Sequence, residues 1–273
     1  MLSGRVVQGD DTPVTYLDEE RGSATGYVWV YVGEKDELAF DFTGGRSRDG
    51  PIAFVGRFSG YFQADAYAGY DALYQSGQVV EVACWAHARR HFKDALETDR
   101  EGAGAMLALI QRLYGVERDA RDLSAVERML LRQERSRPIL GEIERRLCAL
   151  SATALPKGPL GRAVGYAQRN WKALLRYLEQ GWLEIDNNAA ERALRAVAVG
   201  RKNWLFAGSL EAGRRAATLM TLVGTCKLQG IDPFAYLRDV LVRRCTTPAS
   251  RVAELTPRGW KAAAEAGRIT VAN

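Results

Sequence analysis

The sequence predicts an α/β protein in which a long helical segment interrupts the strand-and-helix pattern. The first 100 residues alternate strand-like and helix-like patterns, whereas residues 101–180 show helical periodicity without strand signals. The chain has 273 residues, of which 47% are hydrophobic and 26% are charged. This is the composition of an ordinary globular protein that can bury a full core, so disorder is not expected.

Strands are predicted where β-branched and aromatic residues cluster or alternate with polar ones. These segments cover residues 5–17, 26–33, 37–43, 60–65 and 78–84. Short connections with glycine or charged residues join the first three strands, which indicates an antiparallel meander. The order of elements would place Asp10 and Asp11 of the first strand beside Asp65 of the fourth, on neighbouring strands of one sheet.

Helices are predicted at 48–58, 70–75 and 85–97, and apolar residues at helical spacing fill 101–151 and 160–180 on either side of a loop at 155–159. Later helices cover 189–198, 210–229 and 233–244, with Gly230 and Pro233 as stop and restart signals. We therefore divide the chain into a main domain (1–100 and 181–245), an all-helical insertion (101–180) and a peripheral tail (246–273). The last ten residues are expected to be mobile.

The stretch from Asp186 to Ser209 combines one glutamate with several nearby cations. Glu191 lies on a predicted helix that Asp186 or Asn187 caps, and Arg195 is four residues later on the same face. The alternative is a surface ion pair on an amphipathic helix. The surrounding cations are Arg192, Arg195, Arg201 and Lys202, and this charge pattern suits a carboxylate that serves a metal beside a polyanion.

The formal net charge of +5 favours an anionic partner. The excess is uneven, because Arg89, Arg90 and Lys93 lie in a segment without acids, and bases also outnumber acids between Asp186 and Arg215. Four widely spread cysteines, without a Cys-x-x-Cys pair or a secretory signal, indicate a reducing cytoplasm. No apolar run reaches the length of a membrane span, so we expect no membrane partner.

Phosphodiester chemistry with two divalent metals needs carboxylates that converge on ions roughly 3.5–4 Å apart. Asp10 or Asp11, Asp65 and Glu191 could supply that set, and the helical insertion accounts for the long separation before Glu191. Other readings stay open, because Asp10 and Asp11 also suit a turn or strand end, and Asp65 also suits a helix cap.

A second constellation combines Cys84, His87 and His91. A structural zinc site needs four ligands, and no second pair lies at a usual spacing, so a hydrogen-bonded histidine packed under the sheet is the stronger interpretation. A Ser-His-Asp hydrolase lacks its Gly-x-Ser-x-Gly elbow, and the Walker and dinucleotide fingerprints are absent.

Four phrases in this order resemble the insertion-sequence-66-type transposases, which are bacterial enzymes of the DDE class. The phrases are Asp10-Asp11-Thr12-Pro13-Val14, Gln63 to Tyr70, Cys84-Trp85-Ala86-His87-Ala88-Arg89-Arg90, and Asp186 to Ser209. The resemblance runs nearly end to end. It implies a ribonuclease-H-like five-stranded mixed sheet with flanking helices, interrupted by the helical insertion before the glutamate helix.

The resemblance assigns Asp10, Asp65 and Glu191 as the catalytic residues and ligands of two Mg²⁺ ions, for which Mn²⁺ can substitute. Asp10 is preferred over Asp11, because adjacent side chains of a strand point to opposite faces. The expected partners are the terminal inverted repeats of a mobile element and target DNA. Phosphate contacts are expected from Arg89, Arg90, Arg192, Arg195, Arg201 and Lys202. Trp204 would stack on an unpaired base, or alternatively be buried as part of a strand or helix lead-in.

The implied reaction is hydrolysis at the element end followed by strand transfer. Synapsis of two ends predicts a homo-oligomer in the active complex, with accessory element-encoded proteins as further partners and a nucleoid location. Family members carry an N-terminal DNA-recognition part, and this chain starts near the first predicted catalytic strand, so we expect a truncated product or a catalytic fragment. The alternative functions are a non-catalytic DNA-binding remnant and a general ribonuclease-H-like nuclease.

Overall fold

The computed structural model describes residues 1–34 and 37–267. The strands are β1 (Val6–Asp18), β2 (Gly22–Gly33), β3 (Glu37–Thr43), β4 (Gly60–Ala64), β5 (Val79–Ala83) and β6 (Phe206–Ala207). The helices are α1 (Asp49–Val55), α2 (Asp71–Tyr74), α3 (Trp85–Asp94), α4 (Arg100–Asp119), α5 (Ala125–Leu131), α6 (Arg137–Thr153), α7 (Pro159–Arg169), α8 (Trp171–Leu175), α9 (Asn188–Trp204), α10 (Leu210–Leu228), α11 (Pro233–Arg243) and α12 (Pro257–Glu265). The mixed α/β class is therefore confirmed.

The chain forms two compact units. The first comprises Met1–Arg57 and the residues from Ala189 onward, and the second comprises Phe58–Asn188. No helix in the described part of the chain combines the length and apolarity that crossing a bilayer requires.

In the first unit, β1, β2 and β3 form the predicted antiparallel meander. β1 pairs with β2 from Val7 opposite Gly33 to Asp18 opposite Gly22, and β2 pairs with β3 along its second half. The β1–β2 turn is held by Asp18 Oδ1, which accepts hydrogen bonds from the backbone of Glu20 and Arg21. Gly22 there has φ of +74°, a conformation that favours glycine.

The meander has two different faces. One is apolar and packs against α9 and α10, and its core members are Val14, Tyr16, Val28, Val30, Leu38, Phe40, Phe42, Ala190, Leu194, Val197 and Ala217. Gly213 lets α10 approach this face, because a Cβ there would lie 2.4 Å from the ring of Phe42. The other face carries Trp29 and Tyr31, and the ring of Tyr31 stacks on Phe54 of α1 at 4.1 Å.

The C-terminal part of the first unit has its own small core of Cys226, Ile231, Tyr236 and Trp260. The Tyr236 hydroxyl donates to Leu255 O at 2.6 Å, and the Trp260 indole donates to Asp239 at 2.8 Å. Trp260 of the predicted tail is therefore a packed residue. Of the last ten residues, expected to be mobile, 268–273 lie outside the described residues.

In the second unit, β4 and β5 are parallel, and only helices follow between Arg100 and Leu178. A π-helical turn at Arg132–Ser136 joins α5 to α6 and carries a fully buried arginine. Arg132 forms an ion pair with Glu117 at 2.6 Å and donates to the carbonyls of Tyr177 and Gln180. These bonds compensate the cost of burying a guanidinium group.

All five predicted strands are present, and two details differ. The helix predicted at 160–180 is divided into α7, α8 and a 3₁₀ turn at Arg176–Leu178, because Asn170 leaves the helical conformation and its side chain caps Tyr166 O. β6 pairs in parallel with β1 and was not predicted. The domain boundaries and the ribonuclease-H likeness stay predictions.

Candidate active site

Asp10 lies on the apolar face of the meander, which α9 covers. In the antiparallel register Asp10 is opposite Val30, and Val30 is opposite Phe40. Directly opposite residues share a face, and both of these belong to the core beneath α9. Asp10 is half-buried, and its Oδ1 accepts the Asp11 backbone N–H at 2.8 Å.

Asp11 lies on the other face, opposite the fully buried Trp29. Its side chain is only 3% exposed and forms an ion pair with Arg46 at 2.8 Å. Asp11 is therefore held in an intramolecular pair. The choice of Asp10 as metal ligand stays a prediction, and the opposite orientations give it a physical basis.

Glu191 lies in the first turn of α9 and is half-buried. Ala190, Leu194 and Val197 form the buried stripe of this helix. At about 100° per residue, Arg195 and Lys202 lie within about 40° of Glu191 around the helix, whereas Arg192 lies about 100° from it, on the side away from the buried stripe.

Arg192 lines an apolar cavity of about 720 Å³ in the first unit. The cavity lies against β2, β3, α9 and α10, and Lys227 is its other cation. Neither cation forms an ion pair with a described carboxylate. The structure thus places Arg192 at a cavity of the first unit, which the sequence did not indicate.

Arg201 connects α9 to β1. Its Nη1 donates to Thr12 Oγ1 at 2.9 Å and to Pro13 O at 2.7 Å. Thr12 is two residues from Asp10 and therefore on the same face of β1. Arg201 was predicted as a phosphate contact, and the structure gives it this positioning contact as well.

Trp204 ends α9, and its indole folds back over Gly200, where a Cβ would lie 2.6 Å from Nε1. It is 38% exposed, so the alternative that it is buried is wrong. Leu205 then takes a positive φ of 58° and leads into β6. Trp204 and Phe206 line a second apolar cavity of about 260 Å³.

Asp65 directly follows β4 in the second unit. Its Oδ1 accepts the Tyr67 N–H at 3.1 Å, and its carbonyl oxygen accepts the Tyr166 hydroxyl at 3.0 Å. The next residue, Ala66, has φ of +62°. A non-glycine residue in this region is strained, and such strain is concentrated at functional sites.

The segment before α9 contains Asp186, which the sequence analysis named as a candidate helix cap. Asp186 is buried and accepts hydrogen bonds from Tyr114 Oη at 2.9 Å, Asn188 N at 3.1 Å and Asn188 Nδ2 at 2.7 Å. Burial, and then the charge of Asp186, raise the pKa of Tyr114 well above its usual range, so its hydroxyl stays a donor. Asp186 is therefore a buried acceptor that fixes the start of α9.

Comparison with protein families covers nearly the whole chain. The model of the Transposase IS66 family matches residues 1–215, and that of the IS66 C-terminal element matches residues 221–258. The chain belongs to the IS66 transposase family.

This IS66-family chain has similar proteins in Sinorhizobium fredii. The uncharacterized protein y4hP is 33% identical, over 95% of this chain and 51% of the relative. The uncharacterized protein y4qI is 33% identical, over 94% of this chain and 51% of the relative. The uncharacterized protein y4jD is 32% identical, over 82% of this chain and 46% of the relative. The IS66-family chain thus spans about half the length of these curated relatives.

The metal prediction for this IS66-family chain depends on carboxylates. Asp10, Asp65 and Glu191 offer hard oxygen ligands, whose chemistry suits Mg²⁺ or Mn²⁺. Across residues 1–34 and 37–267, however, no three His, Cys, Asp or Glu side chains are grouped so that they could hold an ion. The same finding leaves the zinc alternative at Cys84, His87 and His91 without support.

Cys84 is instead a buried core residue at the start of α3. Burial raises the pKa of its thiol to about 12, so it is protonated at neutral pH. Arg89 and Arg90 are exposed on α3, where phosphate contacts were predicted. His91 lies against Tyr166, with ring centroids 4.4 Å apart.

The sequence analysis did not single out Tyr114 and Tyr166, which lie within the segments of predicted helical periodicity at 101–151 and 160–180. The structure shows that both hydroxyls bind next to predicted functional segments, at Asp186 and Asp65. A tyrosine among aliphatic core positions is a usable signal, because a buried hydroxyl requires a partner.

Proposed function

We propose that this chain is the catalytic core of a DDE transposase with a ribonuclease-H-like domain, acting on the ends of a mobile element and on target DNA. The observation that carries the proposal is the arrangement of the first unit. Asp10 faces α9, α9 carries Glu191, and Arg201 bonds α9 to β1 two residues from Asp10. Family membership supports a DNA-cleaving enzyme in general.

Asp10, Asp65 and Glu191 would be the ligands of two Mg²⁺ ions in the DNA-bound complex, since the described residues by themselves do not group three such side chains. Such ions would supply activation of the attacking oxygen, which belongs to water in hydrolysis and to the freed 3′-hydroxyl in strand transfer, and would stabilise charge at the phosphorus. The protein side chains orient the DNA. Arg195 and Lys202 share the flank of Glu191 and would contact phosphates beside it, and Trp204 would stack on an unpaired base.

The remaining partners follow from the reaction. Two element ends must be held together, which requires a dimer or larger assembly of this chain in the active complex. Accessory element-encoded proteins would be further partners in recognition of the end sequence. We expect the protein in the cytoplasm, at the nucleoid when bound to DNA.

The test is cleavage and strand transfer on a duplex that carries the inverted repeats flanking the gene, in Mg²⁺ and with a plasmid target. Wild type should cut at the repeat ends, and Asp65→Asn and Glu191→Gln should abolish cutting. Glu211→Gln is the matched control, because Glu211 is an exposed glutamate on α10. Activity unchanged by both active-site substitutions would exclude the DDE assignment.

Two outcomes would favour the other functions. Binding without cleavage, also with partner subunits added, would indicate a non-catalytic DNA-binding remnant. We retain the non-catalytic remnant as an alternative because the described residues contain no group of three side chains that could hold a metal ion. Hydrolysis of RNA–DNA hybrids or of arbitrary duplex would indicate a general nuclease instead.

A further inference from the structure

Helix α7 carries a polar stripe that the sequence analysis did not single out. Leu160, Ala163, Val164 and Ala167 are its buried residues. Arg162, Tyr166 and Arg169, at positions i, i+4 and i+7, form one line on the opposite side. Both arginines are exposed, and the tyrosine between them is half-buried.

The stripe is held in place at its centre. The Tyr166 hydroxyl donates to Asp65 O at 3.0 Å, and its ring lies against His91 of α3. Burial raises the pKa of Tyr166 above its usual range, so the hydroxyl keeps its proton. The stripe therefore has a fixed position next to Asp65.

The charge of the stripe is not neutralised within the described residues. Arg162 donates one N–H to Lys157 O at 2.7 Å, and neither Arg162 nor Arg169 forms an ion pair with a described carboxylate. Gly165 leaves room for Arg169, since a Cβ there would lie 3.1 Å from its Nη1.

His91, beside the stripe, does not add to its charge. Partial burial lowers the pKa of His91. The charge of Asp94 acts against this shift, and the charges of Arg90, Arg169 and Arg162 lower the pKa further. At neutral pH the positive charge thus comes from the arginines.

We propose that the line Arg162–Tyr166–Arg169 is a binding track for the phosphates of duplex DNA, leading to Asp65. Seven residues of helix separate the arginine Cα atoms by about 10 Å. That distance corresponds to about three base-pair steps, at 3.4 Å of rise each along the axis of a DNA duplex. One small anion does not span two such cations, whereas a polymer with regularly spaced charges does. The inference rests on the proposed function, because it identifies a surface that would guide DNA to the predicted catalytic aspartate.

The experiment measures binding of the full chain to a fluorescein-labelled duplex by anisotropy at pH 7.5, across a series of salt concentrations. The test variant is Arg162→Gln/Arg169→Gln. The matched control is Arg118→Gln/Arg145→Gln, which removes the same charge from exposed arginines of α4 and α6 without described ion pairs. Thermal unfolding of each variant checks that the fold is kept.

We expect the track variant to raise Kd by about tenfold or more near 0.1 M salt and to reduce the salt slope by about 2, since each lost phosphate contact lowers it by about 0.9. The control should change Kd by less than about threefold. Equal losses in both variants, or no loss in the track variant, would overturn the proposal. Track-dependent binding without any strand cleavage would uphold it and count against the proposed reaction instead.

Discussion

The two faces of the meander give the adjacent residues Asp10 and Asp11 different environments. On the face beneath α1, Asp11 is buried in an ion pair with Arg46 beside Trp29. On the face beneath α9, Asp10 is half-buried among apolar strand residues and shares that face with the helix of Glu191. The comparison shows that side-chain alternation alone can place two identical, adjacent residues in different environments, one in an ion pair and one beneath a helix.

The largest difference is expected between Asp10→Asn and Asp11→Asn. If Asp10 is the ligand, its substitution should reduce element-end cleavage at least about 10³-fold, as for other essential catalytic carboxylates. Asp11→Asn should reduce cleavage less than about tenfold, because the amide keeps the size and one acceptor. Cleavage rates under identical Mg²⁺ conditions test this, and the reverse order would show that Asp11 is the ligand.

The next difference concerns stability. Leu194→Ala on the α9 side should lower the free energy of unfolding by about 3 kcal/mol, because Leu194 is 5% exposed and the change leaves a cavity. Arg46→Ala on the other side should cost about 1–2 kcal/mol, since its side chain is 35% exposed and its loss removes an ion-pair partner of the buried Asp11 side chain. Urea unfolding measures both, and similar losses would contradict the contrast between an apolar and an ion-paired face.

A smaller effect should come from the bond between α9 and β1. In a double-mutant cycle, Arg201→Ala and Thr12→Val should show a coupling energy of about 1 kcal/mol. Lys202→Ala, one residue later and exposed, should change stability by less than about 0.5 kcal/mol. Additive effects of the first pair would mean that the hydrogen bond contributes little in solution.

The smallest effect at neutral pH is expected at Tyr31, beside Asp11. Burial, then the charges of Asp41 and Asp11, raise the pKa of Tyr31 far above 10. A raised pKa means that the native state favours the protonated form, so stability is complete below pH 10 and falls as the pH rises above it.

Tyr31→Phe should remove that alkaline loss. At pH 7 it should be neutral or slightly stabilising, because the buried hydroxyl has no hydrogen-bond partner among the described residues. Unfolding curves at pH 7 and pH 10.5 compare the two proteins. An unchanged alkaline loss in Tyr31→Phe would place its origin elsewhere.

Much of this fold could be predicted, because alternation and helical spacing are local. The apolar alternation of β3 and the stripe of Ala190, Leu194 and Val197 are visible without a structure. β6 has only two residues, which is too short for any periodicity, and depends on pairing with Thr15 and Tyr16 far away in the sequence. Such short strands exist only because of tertiary pairing.

The candidate site was less accessible to sequence reasoning. The residue pattern suggested its carboxylates only as one of several readings, and the family resemblance then assigned them. The neighbours of each carboxylate became known from the structure. Arg192 and Arg195 look equivalent in the sequence, but of the two only Arg192 lines the apolar cavity against β2, β3 and α10. Likewise, Arg201 could not be assigned to Thr12, because 189 positions separate the two residues that its hydrogen bond joins.

The register of β1 against β2 also determines how β1 would respond to an inserted residue. Adding one residue between Asp11 and the turn at Asp18 would shift the start of β1 by one position and exchange its two faces. In most strands that change exposes the core and removes any functional side chain. Here the doubled acid means that Asp11 would replace Asp10 beneath α9, so a single-codon slip would still leave a carboxylate on that face.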